Sequence, residues 1–329
     1  MTFPTSAGPV AMRREKEAQP AMPADLMGRR VACFGECMLE LRTRPDGLLS
    51  RGYGGDTLNT AVYLARLGVA VEYVTALGDD DFSTEMLRAW EEEGVGTAYV
   101  RRIPGCLPGL YVIETDPQGE RRFLYWRDAA PVRRLFDPDH GRGTEAALAG
   151  AGLVYLSGIS LSLFAGAARE ALFAALEQAR ASGAVIAFDT NFRPRGWPDL
   201  TEARNAYGRM LTLAQVVLAG CGDVDALTGR GTPQEVLAWL DDAGVPEAVV
   251  KLAEPGCLVR GDGPPQAVPV PGKVSPVDTT AAGDSFAAGY LAARLRGEAP
   301  IAAALAGHRL AAVVITHPGA IIPREAMSG

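Results

Sequence analysis

Histidine is scarce in this 329-residue chain, which has only His140, His308 and His317, so a histidine metal cage or a histidine-centred triad has little material. The five cysteines (Cys33, Cys37, Cys106, Cys221, Cys257) stand singly. Cys33 and Cys37 are separated by three residues, but no second Cys or His pair follows to complete a zinc tetrahedron, and the five read as reduced thiols. Excess positive charge is lacking too. The net charge is −7 and the pI about 5.2, which excludes a surface that wraps nucleic acid but leaves room for a local cationic pocket. No run approaches the roughly 20 apolar residues of a membrane span, and the first 28 residues lack the apolar core of a signal peptide. They read as a floppy leader or an over-extended start, on a protein expected to be soluble and cytoplasmic.

What is present is the balance of a globular chain, 48% hydrophobic and 22% charged, enough to bury a core. RVACFGECMLEL (30–41) reads as a strand, a glycine break and a second apolar run. RPDGLLSRGYGGDT follows as a turn-rich stretch with four glycines that let backbone approach a ligand. TLNTAVYLARLG is a helix beginning at Thr57 and closed by Gly68, VEYVTALG a strand, and FSTEMLRAWEEEG a helix capped by Ser83 or Thr84. Between about 97 and 128, GLYVIETDPQGERRFLYWR reads as two half-exposed strands joined at DPQGE, part of a lid.

From residue 150 the pattern alternates. The apolar strands LVYLSG, AVIAFDTN, QVVLAG, AVVKLA and CLVRG are separated by helices near 165–182, 201–213 and 233–243. Two helices, near 283–296 and 300–315, and the tail PGAIIPREAM complete the chain. Near-continuous apolar strands alternating with amphipathic helices predict a parallel sheet covered on both faces.

The strongest chemical signal is VDTTAAGDSFAAGYLAARL (277–295). A polar strand end leads into Ala281, Ala282 and Gly283, small enough to turn backbone N–H groups toward a ligand, and a helix starts at once. Free amides and the positive end of the helix dipole make an anion site there. Asp284 in the first turn is placed to act as a base toward a hydroxyl beside a bound phosphate, or as a helix cap.

DTTAAGDSFAAG resembles the C-terminal signature of the ribokinase-like (PfkB) carbohydrate kinase family, and GGDTLNTAVYLARLG followed by VTALGDDDFS resembles its N-terminal signature. The likeness extends from about residue 30 to the C-terminus. It implies an α/β fold, a ribokinase-like three-layer α/β/α sandwich with a central, mostly parallel sheet and a small β lid within about 36–56 and 97–128. It also implies ATP as donor, Mg²⁺ as helper, a primary hydroxyl as acceptor and Asp284 as base. GECMLEL, LPGLYVIETDPQGERRFLYWRDAA, YLSGISL, FDTNFRPRGW and HPGAIIPREAM are most similar to members that phosphorylate a keto-deoxy sugar acid. A carboxylate wants a guanidinium that binds two oxygens at once, and Arg127 and Arg193 are the candidates. Gly54, Gly55, Asp56 and Asn59 match the motif that meets sugar hydroxyls, although a turn and a helix cap account for them as well. Tyr111 and Tyr125 on the lid are further substrate candidates, or ordinary strand aromatics.

For the nucleotide the resemblance points to Asn191, Lys251, Gly256, Thr279, Gly283 and His308. Asn191 and Arg193 follow a strand at its C-terminal end, where open α/β sheets bind ligands. Two departures stand out. GCGDVDALTG has Gly220 and Asp223 where the family carries Asn-x-x-Glu, which leaves Asp223 to act on the metal through water. KLAEPGC has Ala253 in place of the first glycine of Lys-x-Gly-x-x-Gly. Neutral-sugar kinases of the same family and a catalytically silent sugar-acid-binding protein stay open as alternatives. A dinucleotide dehydrogenase does not, for no G-x-G-x-x-G follows the first strand. Lid edges in this family often pair between subunits, which implies a homo-oligomer.

Overall fold

The computed structural model describes residues 22, 23, 26 and 28–327, apart from 45, 116–120, 138–140, 253 and 273. The strands are β1 (Val31–Phe34), β2 (Met38–Thr43), β3 (Leu49–Gly54), β4 (Val71–Leu77), β5 (Val100–Arg102), β6 (Leu110–Thr115), β7 (Arg121–Trp126), β8 (Leu153–Ser157), β9 (Val185–Asp189), β10 (Val216–Gly220), β11 (Glu247–Lys251), β12 (Gly256–Arg260) and β13 (Gln266–Pro269). The α-helices are α1 (Asp56–Arg66), α2 (Asp81–Glu92), α3 (Gly141–Ala149), α4 (Gly158–Ser162), α5 (Gly166–Ala181), α6 (Leu200–Leu213), α7 (Cys221–Thr228), α8 (Pro233–Ala243), α9 (Ala282–Leu295) and α10 (Pro300–Val314).

Nine strands form one sheet in the order β13-β12-β11-β10-β9-β8-β1-β4-β5. Pairing is parallel from β11 through to β5, and β12 and β13 turn back antiparallel at one edge. Strand side chains alternate between two cores, as a period of two requires. Val154, Leu156, Ile186, Phe188, Val217 and Ala219 face α3, α5, α6, α7 and α8. Leu153, Tyr155, Val185, Ala187, Val216 and Leu218 face α1, α2, α9 and α10. The expected three-layer sandwich results, and its helices enclose both faces.

A second sheet, ordered β3-β2-β6-β7, stands apart as the lid. β3 forms inside the stretch that reads as turn, because Leu49–Gly54 pairs antiparallel with β2 residue by residue, whatever its glycines prefer alone. β5 lies within the span expected for the lid yet pairs with β4 in the main sheet. The DPQGE turn lies outside the described residues.

Helix ends follow their chemistry with one correction. α2 is capped by Asp80, whose carboxylate accepts from Ser83 N at 3.1 Å, so Ser83 and Thr84 sit inside the helix. α8 begins with a Thr232–Glu235 capping box and Pro233 in its first turn. The short helices α4 and α7 carry too few residues for a periodic signal and were not read from the sequence. Residues 1–21 of the expected leader lie outside the description, but Met22 and Leu26 are not loose: both are buried in the α9/α10 core.

α9 and α10 pack backbone against backbone. A Cβ on Gly289 would meet Gly307 Cα at 2.8 Å, and one on Gly307 would meet Phe286 O at 2.8 Å. The two glycines therefore set the spacing of the helix that carries Asp284.

Candidate active site

The parallel strands β9, β10 and β11 end side by side at Asp189, Gly220 and Lys251, and the N-termini of α1 and α9 come to the same edge. Lys251 Nζ holds Asp189 at 2.8 and 3.0 Å. Burial works to lower the lysine pKa, but the Asp189 carboxylate outweighs it and holds Lys251 above its ordinary value. The ammonium also borders the helix start, since a Cβ on Gly283 would lie 3.6 Å from it.

Ala281 caps α9 in the left-handed conformation (φ 59°, ψ 16°), an uncommon posture for alanine, and this turns the loop sharply into the helix. Ala282 N donates to Thr279 O at 3.2 Å and so leaves the expected amide set. Among the described bonds, the N–H groups of Ala281, Gly283 and Asp284 have no acceptor, which leaves three donors at the helix start where an anion could be held.

Asp284 follows at once. Asn59 Nδ2 donates to its Oδ2 at 2.8 Å, while Asn59 Oδ1 is buried without a partner. Burial, then the neighbouring Asp56, push the Asp284 carboxyl up to about 7, against the Asn59 hydrogen bond and the pull of Lys251. A carboxyl raised in this way beside free helix amides has the chemistry that general-base work beside a bound anion requires. Thr60 Oγ1 reaches Asp284 O at 3.2 Å and Asp56 O at 3.1 Å, which ties α1 to α9.

Asp56 accepts from Asn191 Nδ2 at 2.7 Å, so Asn191, expected on the nucleotide side, is tied to the residue expected to meet sugar hydroxyls. Asn191 itself takes a positive φ of 24°, a conformation that Asn tolerates better than most. Gly55 is required by space, since its Cβ would strike Glu36 O at 2.1 Å. At Gly54 a Cβ would strike the Tyr111 hydroxyl at 2.4 Å.

On the lid, β2, β6 and β7 align Glu40, Tyr111 and Tyr125 in one row. Tyr111 donates to Glu40 Oε2 at 2.5 Å, and burial followed by that carboxylate raises its pKa. Tyr125 is half-exposed; partial burial raises its pKa against the pull of Arg127, Arg193 and Arg195, and the Arg127 guanidinium lies 5.9 Å from the centre of its ring. Arg127 is not a loose anion receptor. It pairs with buried Glu36, whose carboxyl is raised by burial against the pull of Arg127 and Arg133. Arg193 is 58% exposed and reaches Asp223 at 3.1 Å.

Asp223 is thus engaged already, by Arg193 and by Thr190 Oγ1 at 3.1 Å, and its carboxylate folds back to where a side chain at Gly220 would stand. Among the described residues no three His, Cys, Asp or Glu side chains gather as a metal cage. Gly256 adopts a positive φ of 141° at the start of β12, and Thr279 is exposed. Ala253 lies outside the described residues. His308 is enclosed: its Nε2 lies 3.2 Å from Val268 O and 3.4 Å from Cys257 Sγ, its ring packs on Phe286, and burial lowers its pKa.

Asp189, Glu36, Glu40, Thr190 and Arg195, which the structure brings to this edge, were not singled out in the sequence. The available signal was for Asp189, Thr190 and Arg195, which lie beside residues already singled out in FDTNFRPR.

The pfkB family carbohydrate kinase model matches residues 29–327. The 2-dehydro-3-deoxygluconokinase of Escherichia coli K12 is 45% identical over 309 residues, covering 92% of this chain and 99% of that protein. Among solved structures, the 2-dehydro-3-deoxygluconokinase of Thermotoga maritima shares the fold with a TM-score of 0.79 at 23% identity, covering 89% of this chain and 94% of that one. Fructokinase with bound ATP from Xylella fastidiosa gives a TM-score of 0.77 at 27% identity, covering 91% and 95%.

Proposed function

Because this chain belongs to the pfkB family of carbohydrate kinases, we propose that it transfers the γ-phosphoryl group of ATP to the terminal (C6) hydroxyl of 2-keto-3-deoxygluconate, giving 2-keto-3-deoxy-6-phosphogluconate. The observation that carries the chemistry is Asp284, held by Asn59, raised to about 7 and set beside unpaired helix amides. The near-full-length likeness to enzymes of that name selects the acceptor.

The acceptor hydroxyl points at Asp284, which takes its proton as the oxygen attacks phosphorus in line. One O–P bond forms, the bond to the β-phosphate oxygen breaks, and ADP leaves with the electron pair. The amides of Ala281, Gly283 and Asp284, with Lys251 beside them, stabilise the charge on the transferring oxygens. Asn59 orients the base, and its free Oδ1 is left to accept from the acceptor. Asp56 and Asn191 take sugar hydroxyls, while Arg127, Arg193 and Tyr125 receive the carboxylate. Thr279 and Gly256 border the nucleotide. His308 backs that side by packing against Phe286 and the β12–β13 edge.

Mg²⁺, when bound, neutralises charge on the donor phosphates. The hard oxygens of Asp223 and Asp189 suit it, reached through water because both are already paired. The same reading places the protein in the cytoplasm as a homo-oligomer; among the described residues no helix is long and apolar enough to cross a membrane.

The test incubates the protein with ATP, Mg²⁺ and, separately, 2-keto-3-deoxygluconate, fructose, ribose or adenosine, and follows ADP release. Rapid turnover with the keto-deoxy acid alone is expected. A preferred neutral sugar would discard the acid pocket, and no turnover with any acceptor would leave a binding protein.

A further inference from the structure

Arg42 lies on β2, outside every residue assigned above to donor or acceptor, yet it stands between the two. Residues 38, 40 and 42 share the lid face that carries Tyr111 and Tyr125, as the strand period requires. Arg42 Nη2 donates to Glu40 Oε1 at 3.3 Å, and Glu40 Oε2 accepts from Tyr111 at 2.5 Å. In the other direction, Arg42 Nη1 lies 3.5 Å from Asp278 Oδ2. Asp278 organises the loop before the anion hole: its Oδ1 accepts from Thr280 N at 2.8 Å and its Oδ2 from Gly319 N at 2.9 Å. A polar chain thus runs Tyr111–Glu40–Arg42–Asp278, from the acceptor face of the lid to the turn that presents the amides of Ala281 and Gly283.

We propose that Arg42 is a positioning residue that couples acceptor capture on the lid to donor binding at the anion hole. The physical case has two parts. The Asp278 side chain is only 3% exposed, and its oxygens hold the amides of Thr280 and Gly319, so the guanidinium of Arg42 3.5 Å away bears directly on the turn that opens onto the helix amides. Its other carboxylate partner is locked to Tyr111, so an acceptor that fixes Tyr111 and Glu40 also fixes the guanidinium over Asp278. Coupling of this kind is reciprocal: acceptor tightens donor and donor tightens acceptor by the same factor.

This inference rests on the kinase reading above, and the experiment separates the two. Affinity for a non-hydrolysable ATP analogue is measured by calorimetry with and without saturating 2-keto-3-deoxygluconate, in the wild type, Arg42→Met, Arg42→Lys and Glu40→Gln. In the wild type the acceptor tightens the analogue at least fivefold. Arg42→Met and Glu40→Gln reduce that factor below twofold whether or not the melting temperature falls, and Arg42→Lys restores part of it. A full factor in Arg42→Met, or no factor in the wild type, overturns the proposal. A purely structural role would lower the melting temperature and leave the ratio intact. Failure of the wild type to turn over the keto-deoxy acid would instead reject the kinase reading.

Discussion

Replacing Asp284 by Asn removes the base and keeps the shape, and two opposite consequences follow. General-base catalysis contributes about a hundred- to ten-thousand-fold, so turnover falls by roughly 3–5 kcal/mol of barrier. Stability moves the other way. The Asp284 carboxyl is raised from 3.8 to about 7 in the folded chain, so the native state holds a proton that the unfolded state has released. A folded pKa above the unfolded one makes stability fall as pH rises from about 4 to about 7, after which the loss is complete. The rise corresponds to at most about 4 kcal/mol, reduced by whatever solvent reaches the part-buried group. Asn carries no such charge. The variant is therefore nearly inert yet melts higher than wild type, by up to about 8 °C above pH 8 at about 2 °C per kcal/mol, with the gap closing toward pH 4. ADP release and thermal melts across pH measure both. Turnover within tenfold of wild type refutes the base assignment. A melting gap that does not change with pH refutes the raised carboxyl.

Asn59→Leu deletes the hydrogen bond that favours ionised Asp284, so the acid limb of the kcat/KM profile moves to higher pH; an unmoved limb would show that Asn59 does not tune the base. Arg127→Met and Arg193→Met should each raise KM for the acid substrate more than tenfold with KM for ATP unchanged, as expected for a lost charge-assisted pair. They differ in stability. Arg127→Met strands buried Glu36 and costs about 3 kcal/mol, partly recovered by Glu36→Gln in the same chain, whereas exposed Arg193→Met stays within about 0.5 kcal/mol in denaturant melts. Ala281→Gly relieves the left-handed alanine and should raise stability by about 1 kcal/mol; an unchanged denaturation midpoint would mean that the turn is not strained.

The turn into α9 was legible because its signal is contiguous: small residues, an acid and an apolar helix follow one another from 278 to 295. The alternating strands after 150 were legible for a similar reason, since burial on both faces demands unbroken apolar runs. Long-range partners left no such trace. Glu36 meets Arg127 across 91 residues, Glu40 meets Tyr111 across 71 and Lys251 meets Asp189 across 62, and nothing local marks any of them as paired. β3 was hidden by its glycines, which read as turn until β2 supplies the ladder. Arg127 was found for its charge, but its buried partner, which decides how that charge is presented, was not.

The contact of Gly289 with Gly307 divides mobility unequally between the two halves of the site. Where α9 meets α10 backbone to backbone at Gly289 and Gly307, little side chain lies between them, so under the proposed reaction Asp284 is held firmly against an ill-fitting acceptor. Adjustment falls to the free-standing lid sheet instead. In the proposed reaction Asp284 is then the fixed reference, and the sugar is fitted to it from the lid side.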